Sequence, residues 1–154
     1  MKSFILIALA ALSVCLSVAD QESHISSVGK QQPGDWLMFS FENTAYSIPD
    51  SRRRHTVQVQ LPSSAQVNYV TFEDKDPSSG GFVSYIGGFA NNHITVMIQS
   101  QWGGGFDFAT DIWGQDPESI QPANLMSSAV QTNCTMTVDD GKTIRTFDCN
   151  MSLH

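Results

Sequence analysis

The chain has 154 residues, 15 of them acidic and 8 of them lysine or arginine, for a formal net charge of −7 at pH 7. That balance argues against direct nucleic-acid binding, which needs clustered cations to displace the counterions of a phosphate backbone. The length suits one domain with a single modest core.

Met1 and Lys2 open the chain, and FILIALAALSVCL (4–16) is an apolar run of leader length. Ser17-Val18-Ala19 then supplies a small-x-small cleavage pattern. The reading is a signal peptide over 1–19, a mature chain that begins near Asp20, and a secreted, extracellular product. The run is shorter than the about 20 apolar residues of a membrane-spanning helix, so no membrane partner is expected. Without 1–19 the chain keeps 7 basic against 15 acidic residues, a net charge of −8, because Lys2 is the one charge removed. Residues 20–33 (DQESHISSVGKQQP) are polar and read as a flexible N-terminal arm.

From Gly34 the texture changes to short β-rich runs separated by turn residues. GDWLMFSF, HTVQVQL, VNYVTFED, GFVSYIGG, HITVMIQS and GFDFATDIWG each read as a strand. Ile94, Val96 and Ile98 would share one sheet face, and Phe106, Phe108 and Ile112 another, with Asp107 and Asp111 turned away. No helical stripe runs through 34–114. The expected fold is all-β: a single-domain antiparallel β-sandwich or meander, with 34–114 as its β-domain. Arg52-Arg53-Arg54, between Pro49 and HTVQVQL, reads as a solvated loop.

Residues 115–129 hold two prolines and read as a connecting loop. Beyond them VQTNCTMTV and TIRTFDCN flank a turn, so 115–154 is expected to be a loop plus a C-terminal β-hairpin. A two-residue Gly141-Lys142 turn places Cys134 opposite Cys149 and Met136 opposite Phe147. Facing residues on paired strands stand about 4.5–5.5 Å apart, within disulfide range. Cys15 lies in the leader, so Cys134 and Cys149 form the one available pair and staple the hairpin.

The candidate chemistry is thin. Gly80-Gly81, Gly87-Gly88 and Gly103-Gly104-Gly105 fall at strand ends; none precedes Lys-Ser or Lys-Thr, so they read as turns and not as a phosphate loop. Glu73, Asp74 and Asp76 loosely resemble a calcium loop, but Gly80 arrives one place late and Tyr85 holds the twelfth place. Asp107 and Asp111 on one strand would stand roughly 13 Å apart, too far for a glycosidase pair. His24, His55, His93 and His154 lack metal-ligand spacing. No catalytic residue, metal or cofactor is therefore expected. Asn133-Cys134-Thr135 and Asn150-Met151-Ser152 are glycosylation sequons, which makes Asn133 and Asn150 candidate glycan sites. Among Trp36, Trp102 and Trp113, Trp102 stands out: glycines follow it and polar residues precede it, so it is the candidate anchor of a binding surface.

The runs together resemble a known family. PGDWL (33–37), VNYVTFEDKD (67–76), GGFVSYIGG (80–88), HITVMIQSQWGGGF (93–106) and DFATDIWG (107–114) follow one another as in the arthropod family named after the transcription activator multiprotein bridging factor two, many of whose members are labelled salivary secreted peptides. The match spans about 33–114. Trp102 stands where that family carries a basic residue, Val70 where it carries Ile, and Trp113 where it carries Tyr. Residues 115–154 lie beyond the end of typical members. The family name implies co-activation through contacts with a DNA-binding partner, and the salivary labels imply an extracellular life.

These readings rank a secreted, non-enzymatic binding protein of saliva, gut or haemolymph first. Its partner would be an unknown protein or small molecule, with no nucleic acid. A transcription co-activator that bridges a DNA-binding factor is the alternative, and a small secreted hydrolase the second.

Overall fold

Period-two alternation of apolar and polar residues sets the strands, and two β-sheets bury the apolar faces against each other. The computed structural model describes residues 24–118, 130–149 and 152–153. In chain order the strands are β1 (His24–Gly29), β2 (Trp36–Ala45), β3 (Arg52–Gln60), β4 (Gln66–Asp74), β5 (Gly81–Gly87), β6 (His93–Ser100), β7 (Phe106–Gln115), β8 (Gln131–Asp139), β9 (Ile144–Asp148) and β10 (Ser152–Leu153). One sheet runs β1-β4-β7-β2-β10 and the other β5-β6-β3-β8-β9, with antiparallel pairing throughout. The expected all-β fold is present, as a sandwich.

The core lies between the sheets. Ile94, Val96 and Ile98 of β6 and Val57 and Val59 of β3 are fully buried from one side. Phe41 of β2, Val70 and Phe72 of β4, and Phe106, Phe108 and Ile112 of β7 meet them from the other. Each such side chain contributes roughly 1.5–3 kcal/mol on burial. Asp107 and Asp111 point outward, as the alternation predicts. Each accepts a cross-strand hydrogen bond, from Thr44 Oγ1 (3.0 Å) and Ser40 Oγ (2.6 Å) respectively.

Three local expectations change. The polar arm over 20–33 contains β1, whose residues are all exposed yet pair with β4 from His24↔Asp74 to Gly29↔Tyr69. An edge strand can be held by backbone hydrogen bonds alone, which leave no apolar pattern in the sequence. Arg52-Arg53-Arg54 begin β3 and form no loop. The C-terminal hairpin is no appendage: β8 pairs along the whole of β3, from Arg52↔Asp139 to Gln60↔Gln131, and so completes the second sheet.

The hairpin register is the expected one. Met136 faces Phe147, and Cys134 and Cys149 form a disulfide with their Cα atoms 5.2 Å apart. Gly141 takes a positive φ (79°) at the first central position of the turn, where a type II′ hairpin needs it. Asp140 Oδ1 accepts the N–H groups of Lys142 (2.9 Å) and Thr143 (2.7 Å), which fixes the corner.

Candidate functional site

Three segments distant in sequence meet at one end of the sandwich. The turn after β6 carries Trp102, the segment after β2 carries Tyr46 to Ser51, and the β8–β9 turn carries Asp140 to Thr143. Gly103 N–H donates to Ser51 O (2.7 Å) and ties the first two together. The Trp102 ring reaches the third, since a Cβ on Gly141 would stand 3.2 Å from its Cη2 atom. Trp102 remains 49 % exposed, with Tyr46 at 81 % and Ile48 at 39 %. The tryptophan is thus neither core nor free: one edge rests on the hairpin and the rest faces solvent.

Beside it lies a cavity of about 400 Å³ between Ile48–Ser51 and the hairpin residues Val138, Asp140, Lys142, Thr143 and Arg145. Charges of both signs line it, Asp50 and Asp140 against Lys142 and Arg145. Arg53 pairs with Val138, which pairs with Arg145; directly opposed residues on neighbouring strands share a face, so both guanidinium groups lie on the inner face at this open end. Arg53 Nε is buried without a hydrogen-bond partner among the described residues, and burial lowers the pKa of the group. On the opposite face Arg54 donates through Nε (3.0 Å) and Nη2 (2.8 Å) to Gln99 Oε1. Of the Lys and Arg residues beyond Lys2, only Lys30 and Lys75 lie away from this sheet. Most of the chain's cations therefore lie on one sheet, interleaved near the exposed indole with Asp50, Asp139 and Asp140. Such a surface suits a partner that presents apolar side chains together with charges complementary to this mixed set.

Asp107 and Asp111 serve cross-strand bonds. Asp74 is buried, and its Oδ1 accepts the Asp76 N–H (3.1 Å), while Ser78 Oγ donates to Asp76 (2.5 Å), so these acids close a local turn. Asn133 is exposed on β8, whereas Asn150 and the leader 1–19 lie outside the described residues.

His55 is what sequence reading missed. It is 5 % exposed, on the inward face of β3 in register with Val57 and Val59. Its ring meets Phe106 edge-on at 4.9 Å between centroids, and its Nδ1 lies 3.1 Å from Asn43 Oδ1. Burial pushes the imidazole pKa down to about 4, and Arg53 pushes in the same direction, so the ring is neutral at neutral pH. A ring nitrogen of His55 and the sulfurs of Cys134 and Cys149 lie within 4.8 Å of one another. The signal was available in His55-x-Val57-x-Val59, where alternation already turned the histidine inward.

The family model described as transcription activator MBF2 matches residues 28–114. No curated protein and no solved structure matches the chain. The family match overturns three expectations. The function ranked first, a secreted non-enzymatic binder, gives way to the co-activator alternative. The extracellular localisation drawn from residues 1–19 gives way to the nucleus, where a transcription activator works. The partner, expected to be an unknown protein or small molecule with no nucleic acid, gives way to a DNA-binding factor.

Proposed function

The chain belongs to the transcription activator MBF2 family, and from that premise we propose that it is a co-activator that bridges a DNA-binding factor to the transcription apparatus. The family match over 28–114 carries the reading. We further propose that it acts by contact and not by catalysis, and that it is an arthropod member of the family. The contact surface is the end built by Trp102, Tyr46 and Ile48 beside Arg53, Lys142 and Arg145. An exposed aromatic anchor beside Lys142 and Arg145, with Asp50 and Asp140 next to them, supports docking of a partly apolar segment with complementary charges.

Tethering tests this. The full chain fused to a heterologous DNA-binding domain should raise transcription from a reporter that carries its site. Trp102→Ala and the pair Lys142→Glu with Arg145→Glu should each lower that output at equal nuclear abundance. A folded, nuclear fusion with no effect on the reporter would overturn the co-activator reading.

A further inference from the structure

The Cys134–Cys149 disulfide is in an unusual position for a nuclear protein, because the nuclear thiol pool keeps cysteines reduced. What reduction would uncover is written into the surrounding side chains. His55 stands beside the two sulfurs, with all three ligand atoms within 4.8 Å, the one such group of three among the described residues. Its Nε2 is buried and has no hydrogen-bond partner among those residues; Asn43 Nδ2 shares that condition. Buried polar atoms are rarely left unpaired, and those that are commonly mark a functional demand.

Asn43 supplies the orienting contact. With its Oδ1 accepting from His55, Nδ1 carries the hydrogen and Nε2 the lone pair. An amide or carboxylate oxygen that holds the far nitrogen of a ligating histidine is the usual outer contact of a zinc site. Asn43 Oδ1 also lies 3.9 Å from Cys134 Sγ. Asn43, His55 and Cys134 sit on β-strands, and Cys149 directly follows β9, its N–H donating to the Cys134 carbonyl oxygen (3.0 Å).

We propose that His55, Cys134 and Cys149 form a redox-gated zinc site, closed as a disulfide under oxidising conditions and opened to Zn²⁺ by thiol reduction. In the opening step two molecules of a monothiol are oxidised to their disulfide. The Cys134–Cys149 bond breaks and the two sulfurs take up two electrons and two protons. Zn²⁺ then displaces both thiol protons to solvent and binds two thiolates and the neutral imidazole. A tetrahedral site with Zn–S near 2.3 Å and Zn–N near 2.0 Å places its ligand atoms about 3.4–3.8 Å apart, so the sulfurs part and the imidazole closes by about an ångström. Thiolate with imidazole selects zinc over magnesium or calcium. The hairpin keeps its staple in both states: a covalent one when oxidised, a coordinate one when reduced. Because the β8–β9 hairpin carries Lys142 in its turn and Arg145 on β9, beside Trp102, the state of this site sets how firmly that surface is held.

Cobalt(II) substitution tests the proposal on the purified full chain. After reduction with a phosphine, one Co²⁺ per chain should give a thiolate-to-metal charge-transfer band and the strong visible bands of tetrahedral cobalt; the oxidised chain should give neither. Zn²⁺ should bleach the bands and raise the melting temperature of the reduced chain only. His55→Gln, verified as folded in its oxidised form, should bind at least about tenfold more weakly, the scale on which even outer contacts of a zinc site act. A folded, reduced chain without the bands overturns the proposal. So does a reduced chain that stays unfolded when Zn²⁺ is added, or a spectrum and affinity unchanged in His55→Gln. None of these readings depends on transcriptional activity, so failure here and failure in the reporter assay are separate results.

Discussion

Trp102 lies over Gly141, so close that a Cβ on the glycine would stand 3.2 Å from the indole Cη2. The contact joins the β6–β7 turn to the β8–β9 turn and sets which part of the indole remains open. Trp102→Ala is expected to cost about 1–2 kcal/mol of stability, since only about half of the side chain is covered. Loss of a true anchor should cost at least about 2 kcal/mol of partner binding. Calorimetry and titration against the DNA-binding factor recovered with the chain separate the two. A large stability loss with unchanged affinity would make the residue structural and remove the proposed surface.

The disulfide closes a loop with a sequence separation of 15. In the chain-entropy model that closure is worth about 3 kcal/mol. The double variant Cys134→Ser with Cys149→Ser, compared with the oxidised parent in chelator, should therefore melt roughly 6–12 °C lower. Equal melting temperatures would mean that β8 pairing with β3 already holds the hairpin in full.

Two glycines should resist substitution for different reasons. Gly88 has φ +93°, and a Cβ there would run into the carbonyl oxygen of His93. Gly104 has no positive φ, but a Cβ would press on the Ser79 carbonyl oxygen. Gly88→Val meets both strain and collision, so its melting temperature should fall further than that of Gly104→Val. The reverse order in thermal denaturation would mean that the loop before β6 shifts freely.

Asp74 yields a pH dependence. Burial raises its pKa above 3.8; the Asp76 N–H opposes the rise, the charges of Asp76 and Asp107 add to it, and His24 opposes it. A carboxyl group whose folded pKa exceeds its unfolded value binds protons better when folded. Its charge therefore penalises folding above the folded pKa, and the penalty vanishes as pH falls through that value towards 3.8. Asp74→Asn should raise the melting temperature at pH 7 and give no such gain below pH 3.8. A variant less stable at pH 7 would show that the contact to Asp76 outweighs desolvation.

Much of the fold was legible locally. Eight of the strands were legible, most by alternation, as Ile94, Val96 and Ile98 show in β6, because burial on one face imposes a period of two, and the exposed β9 by the turn it flanks. The Cys134–Cys149 pairing was legible for a similar reason: a two-residue turn determines which residues face each other. β1 was not, since its hold on β4 runs through the backbone and leaves no mark on its side chains. The functional expectation ranked the leader-like run at 4–16 and the net charge above the family resemblance, and the family match over 28–114 reversed that order.

Sequence alone therefore determined the strand pattern, the hairpin register and the family resemblance, all of which depend on neighbours within a few residues or on matched motifs. The tertiary structure alone decided that β8 docks along β3. That pairing brings Arg53 into line with Arg145, lays Trp102 on Gly141 and sets His55 beside the two cysteines. These are contacts between residues many tens of positions apart. They arise because two twisted sheets must cover each other's apolar faces, and that packing, not any local pattern, selects which distant side chains meet.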